Sequence, residues 1–157
     1  MKSLLVSISL LGFSAGALAQ EQTLTVYLKK GYLEYFDEGP KEPSIGDMYV
    51  RQGEVSLSAD GEAVGEYFTK ATIVYLNKEI NKSVRSYTAE IILPEGSIYK
   101  TDFLRMRDGK PISKDHKHTG AIVGGTGKYA GIRGSYTLGV SPSGNDAKTT
   151  LTYWLGQ

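Results

Sequence analysis

From residue 23 onward, apolar and polar residues alternate with a period of two in one segment after another. The first such segment, 23–29, puts Leu24, Val26 and Leu28 on one face, as a half-buried strand requires. Similar β-branched and aromatic runs cover 49–58, 66–76, 84–93, 97–107, 119–123, 132–140 and 148–155, with a further short strand over 32–36. Turn and loop composition separates them. A Pro/Gly loop occupies 37–47, and Asp60-Gly61 is a hairpin signal. Residues 77–83 form a polar connection, and Pro94-Glu95-Gly96 turns one strand into the next. A charged loop covers 108–117, and Ser/Pro/Gly/Asn residues over 141–146 precede the last strand. No segment carries a helical period. About eight strands predict an all-β domain, a sandwich or a closed antiparallel barrel, and closure removes exposed strand edges.

Residues 1–19 read as a cleavable export signal rather than as structure. Lys2 gives the positive start, 4–13 a short apolar run, and Ala17-Leu18-Ala19 a small-x-small cleavage site. The run is shorter than the ~20 residues a membrane-spanning helix needs. The expectation is a secreted or periplasmic protein whose single domain covers 20–157. Removing 19 of the 157 residues leaves 138, enough for one domain that encloses one core or one small cavity. Without Lys2 that domain has 17 basic and 17 acidic residues, so the basic excess of a nucleic-acid binder is missing. The chain has no cysteine, and packing alone must hold it. Eleven tyrosines either fill a core or line a ligand cavity.

The most concentrated signal is Gly124-Gly125-Thr126-Gly127-Lys128-Tyr129-Ala130-Gly131-Ile132-Arg133-Gly134. Five glycines in eleven residues imply a tight turn or close backbone approach. A phosphate-binding loop is excluded by pattern. Ile122 stands where the P-loop needs its first glycine, Tyr129 follows Gly127-Lys128 where it needs Ser or Thr, and strand rather than helix sequence comes after.

These residues resemble the GGTGxFxGARG-type signature of allene oxide cyclases and dirigent proteins. The loop ending in Gly46-Asp47 is similar to that of bacterial secreted relatives. The order of the Gly61/Gly65 turn, the 69–76 strand and the Pro94-Glu95-Gly96 hairpin fits as well. The resemblance covers most of the mature chain and implies a single closed antiparallel barrel of about eight strands around a ligand cavity. It also implies chemistry without a metal or organic cofactor: cyclisation of an unsaturated epoxide, steering of phenoxy-radical coupling or quinone-methide closure, or cyclisation of polyketide-type products. Dimers and trimers occur in the family, which leaves homo-oligomerisation open. Plant allene oxide cyclases place a catalytic glutamate in the first strand, where this chain reads Val26-Tyr27-Leu28. The disulfide of many dirigent proteins is absent here.

Three charged residues are candidates for catalysis. Arg133, in the signature, either donates to a ligand oxygen or pairs with an acid on a neighbouring strand. Glu90 shares a strand face with Thr88 and Ile92, and Asp102 one with Lys100 and Leu104. A carboxylate facing an apolar cavity works as acid or base; on a solvated face Glu90 and Lys100 form a cross-strand pair. Asp115, His116 and His118 have ligand-like spacing, but the lysines among them favour a solvated loop and no metal. Tyr67, Tyr75, Tyr99, Tyr136 and Tyr153 are the candidate ligand-binding rings, with Tyr67 and Tyr75 on one strand face. The function expected is control of a small apolar or phenolic molecule, directing its cyclisation or isomerisation. A non-catalytic carrier and a structural barrel filled by side chains are the alternatives, and no nucleic-acid partner is expected.

Overall fold

A computed structural model of the chain describes residues 20–29, 31–37, 39, 42–108, 110–112, 117–140 and 146–156. The expected leader, Asp115 and His116 lie outside these residues. Ten strands follow in chain order: β1 (Gln22–Leu28), β2 (Tyr32–Phe36), β3 (Met48–Ser56), β4 (Gly65–Asn77), β5 (Lys82–Leu93), β6 (Gly96–Arg107), β7 (Lys110–Pro111), β8 (Lys117–Gly125), β9 (Arg133–Val140) and β10 (Ala147–Trp154). Their neighbours run β1-β10-β9-β8-β6-β5-β4-β3, all antiparallel. Tyr27↔Ser56 and Leu28↔Val55 then join β1 to β3 and close an eight-stranded barrel. β2 takes the next stretch of the same β3 edge, from Tyr32↔Gln52 to Phe36↔Met48, and β7 is a two-residue clip on β6.

Three segments differ from the sequence expectation. The polar connection is only a turn, because β4 runs to Asn77 and β5 already begins at Lys82. Part of the charged loop is paired: Lys110–Pro111 lies on Arg107 and Met106, and Lys117 opens β8. Tyr67 and Tyr75 do not share a face, because a register shift between Ile73 and Tyr75 inserts one residue into β4. One extra residue inverts the side-chain alternation. Tyr67 is buried and Tyr75 is 47% exposed.

One half of the barrel interior is packed solid. Val26, Val55, Tyr67, Ile91, Leu93, Ile98, Ile122, Tyr136, Leu151 and Tyr153 form its core. The glycine signature stops this end. After β8 the chain makes a 3₁₀ turn over Gly127–Tyr129 and inserts Tyr129 and Ile132, both buried, into that core. The turn is clamped to the β5–β6 hairpin by Thr126 N–H to Ser97 O (2.9 Å), Lys128 N–H to Glu95 O (2.8 Å) and Ser97 N–H to Thr126 Oγ1 (3.0 Å). Gly127 has φ +56°, and a Cβ there would lie 2.2 Å from Glu95 O, so only glycine fits. The signature is therefore close strand packing, as its composition predicts, and β9 rather than a helix follows it.

Candidate functional site

The other half of the interior is hollow. A cavity of about 490 Å³ lies where β1 ends, β2 begins and β10 starts. Its apolar surface comes from Leu28, Leu33, Ala71, Leu104, Leu138 and Ala147. Its polar groups are the phenols of Tyr49, Tyr67 and Tyr87, the Thr69 hydroxyl, the Asp146 carboxylate and the guanidiniums of Arg51 and Arg85. Strand register sets this lining. Tyr49, Ala71 and Tyr87 are lateral neighbours on β3, β4 and β5, and so are Arg51, Thr69 and Ala89; Ile73 and Arg85 are opposite on β4 and β5. The volume falls within the ~300–1,000 Å³ usual for small-molecule sites.

The Arg85 guanidinium lies 4.2 Å from the centroid of the Tyr49 ring, a cation–π contact, and its Nε is buried with no hydrogen-bond partner among the described residues. Tyr67 donates to the Lys29 carbonyl at 2.9 Å. Burial, then the nearby Asp102 carboxylate, pushes the Tyr87 phenol well above its ordinary value. Tyr87 therefore stays protonated and remains a hydrogen-bond donor.

Beside Tyr87 a polar cluster crosses the wall. Asp102, opposite Tyr87 in the β5–β6 register, accepts a hydrogen bond from the Tyr136 hydroxyl of β9. His118 of β8 brings Nε2 to 2.7 Å from Asp102 Oδ2, outside hydrogen-bond alignment, so the contact is an ion pair when the imidazole is protonated. Lys100, one step deeper on the same face of β6, is 1% exposed. Its ammonium sits 4.2 Å from the Tyr136 ring centroid and makes no hydrogen bond among the described residues. Burial lowers its pKa to about 8, although Asp102 pulls the other way. Asp102 Oδ1 also has no hydrogen-bond partner among the described residues. Gly120 makes the arrangement possible, since a Cβ there would meet Tyr136 Cε1 at 2.5 Å and Asp102 Oδ2 at 2.6 Å.

The sequence candidates divide between the two faces of the wall. Asp102, Tyr67, Tyr136 and Tyr153 point inward: Tyr67 reaches the cavity, Asp102 and Tyr136 the cluster beside it, and Tyr153 the packed core. Glu90 faces outward between its cross-strand neighbours Phe68 and Tyr99. Lys100 faces inward opposite Ala89, so the cross-strand Glu90–Lys100 pair does not form. Glu90 and Tyr99 border a more open outer hollow of about 440 Å³ with Phe68, Lys70 and Val123. Arg133 is exposed on β9 and donates to the Ile132 carbonyl at 2.7 Å. The sequence reading missed Arg51, Arg85, Tyr49, Tyr87 and Lys100 as members of the site and left His118 in a loop. Their common signal is placement: each lies an even number of residues from a buried apolar residue of its own strand.

The fold and site define an antiparallel barrel with a packed end and an interior cavity of small-molecule size. The chain belongs to the allene oxide cyclase barrel-like family, whose description, "Allene oxide cyclase barrel like domain", matches residues 23–147. Among curated proteins none matches the chain by sequence. Solved structures share the fold at low identity. A pyocyanin demethylase has 23% identity and a TM-score of 0.65, covering 84% of this chain and 99% of its own. A Diels–Alderase from Streptomyces koyangensis has 14% identity and a TM-score of 0.64, covering 91% and 72%. A pterocarpan synthase dirigent protein has 16% identity and a TM-score of 0.63, covering 99% and 98%.

Proposed function

We propose that this barrel takes up a small apolar or phenolic molecule and directs its cyclisation or isomerisation. The observation that carries the reading is the half-filled interior, packed at the signature end and hollow at the other, with phenols and guanidiniums set in an apolar wall. A structural barrel filled by side chains would leave no such volume. An intramolecular cyclisation loses no atoms. It needs one conformer held against the alternatives and an oxygen polarised as bonds reorganise, and a shaped cavity with fixed donors supplies both. Tyr87, kept protonated, is the donor proposed for that oxygen. Asp102, held between Tyr136 and His118, is the proposed positioning carboxylate behind it. That a Diels–Alderase, a dirigent pterocarpan synthase and a demethylase use the same architecture supports chemistry on small organic molecules. On the leader expected in 1–19, the proposed place of action is the envelope or the exterior.

The test is incubation of the purified mature protein with a panel of phenolic and polyunsaturated carbonyl compounds, read by chromatography with mass detection. A new product of unchanged mass is expected, formed by wild type and lost in Tyr87→Phe. Saturable binding of panel members with no isomeric product would overturn the catalytic reading and leave a carrier.

A further inference from the structure

The cavity wall is rich in cationic donors and poor in negative charge. Arg51 and Arg85 bring two permanent cations, and the hydroxyls of Thr69, Tyr49 and Tyr87 bring further donors, while Tyr67 spends its proton on the Lys29 carbonyl. Against them stands one carboxylate among the lining residues, Asp146. Among the described residues neither guanidinium forms an ion pair. Arg51 stands near the Tyr67 phenol, a neutral group, and Arg85 rests on the Tyr49 ring with its Nε buried and unpartnered. Cations in an apolar enclosure are costly unless a counter-charge meets them. The ring faces of Tyr49, Tyr67 and Tyr87 add stacking surface within the same volume.

Building on the function proposed above, we infer that the cavity selects organic anions: an aromatic or conjugated molecule whose carboxylate, phenolate or comparable acidic oxygen group is gripped by Arg85 and Arg51. The anion supplies a counter-charge for the two guanidiniums and fixes which end of the molecule enters. A guanidinium meets a carboxylate with two parallel donors, so the grip also sets the orientation of the molecule's plane. The apolar remainder lies against Leu104, Leu138 and Ala71.

A matched pair of fluorescent probes tests this. 8-Anilinonaphthalene-1-sulfonate and N-phenyl-1-naphthylamine share one ring skeleton and differ by the sulfonate. The sulfonate dye is expected to bind at least about tenfold more tightly than the neutral one, as charge-assisted hydrogen bonds predict. Arg85→Met and Arg51→Met should each weaken the sulfonate dye by about tenfold or more. They should leave the neutral dye within about twofold. Ala71→Phe, which fills the cavity, should abolish both and so locates the binding. Urea midpoints of every variant establish folding, and Arg85→Lys, which keeps the charge, should retain part of the preference. Equal affinities, with no effect of either arginine, would overturn anion selection while leaving the small-molecule cavity standing. Failure of folded wild type to bind either dye would overturn both readings.

Discussion

Gly120 and Tyr136 face each other across the β8–β9 pair, and the missing side chain of the one is the space the other occupies. The phenol crosses the bare backbone to reach Asp102 on the far side of β8. Gly120→Ala puts a methyl group 2.5 Å from the ring and 2.6 Å from the carboxylate. Both partners are held by packing, so the conflict is expected to destabilise the fold by about 1–3 kcal/mol, as overpacking does. Gly139→Ala on the same hairpin is the control. Its nearest neighbour would be Lys148 O at an ordinary 3.9 Å, and stability should hold or rise slightly. Urea midpoints at constant m-value read both. Equal losses would show that strand glycine, not the Asp102–Tyr136 contact, sets the effect.

Lys100 gives a pH signature. Its pKa is about 8 in the folded barrel against 10.5 for an ordinary lysine, so between these values the unfolded chain binds more protons than the folded one. Stability therefore rises with pH across that window from this residue, and the gain is lost again as pH falls through about 8. Lys100→Met keeps the length of the side chain and removes the buried charge. The variant is expected to be more stable at pH 7 by about 1–3 kcal/mol. Its difference from wild type should shrink towards pH 10.5. A variant less stable than wild type at neutral pH would mean that the ammonium over the Tyr136 ring is a net stabilising contact.

The fold was largely legible because alternation and turn residues speak locally. Leu24, Val26 and Leu28 announce an inward face, and Pro94-Glu95-Gly96 announces a hairpin. The site was less legible, since which face turns inward is decided by neighbouring strands. Asp102 with Lys100 and Leu104 was a correctly grouped face without a direction, and β6 takes its direction from Ile91 and Ile98 packing opposite each other. Tyr75 was misplaced by a bulge that no turn residue marks. His118 follows lysine-rich sequence that looks like loop, yet pairing with Leu138 draws it into the wall. Arg85 looks like solvated strand, and only the barrel's closure makes its face an interior.

The signature loop separates strain from surface charge. Gly127→Ala demands a left-handed conformation at φ +56° and brings a methyl group 2.2 Å from the Glu95 carbonyl. A loss of about 2–4 kcal/mol is expected from backbone strain and displaced hydrogen bonds together. Lys128, two bonds of 2.8 and 3.0 Å from Glu95 notwithstanding, forms an ion pair whose partners are 53% and 56% exposed. Lys128→Ala should change stability far less than Gly127→Ala does, and less still at high salt. Thermal unfolding of the two variants at low and high salt checks the contrast. A larger effect for Lys128 would assign the clamp to charge instead of backbone fit.

The two faces of the wall should also be distinguishable by chemistry on tyrosine. Nitration by tetranitromethane needs an accessible ring and proceeds through the phenolate. Tyr75 and Tyr99 are 47% and 37% exposed, so they are expected to react in the native protein. Tyr136, Tyr67 and Tyr153 are 1%, 2% and 6% exposed and should resist until the barrel is unfolded. Tyr87, half-buried against the cavity, should resist for a different reason, because desolvation and the Asp102 charge hold its proton in place. Peptide mapping by mass spectrometry after brief treatment at pH 8 gives the order of modification directly. Native-state nitration of Tyr136 as fast as of Tyr75 would place that ring outside the barrel. The Asp102 cluster would then have no bearing on what the cavity holds.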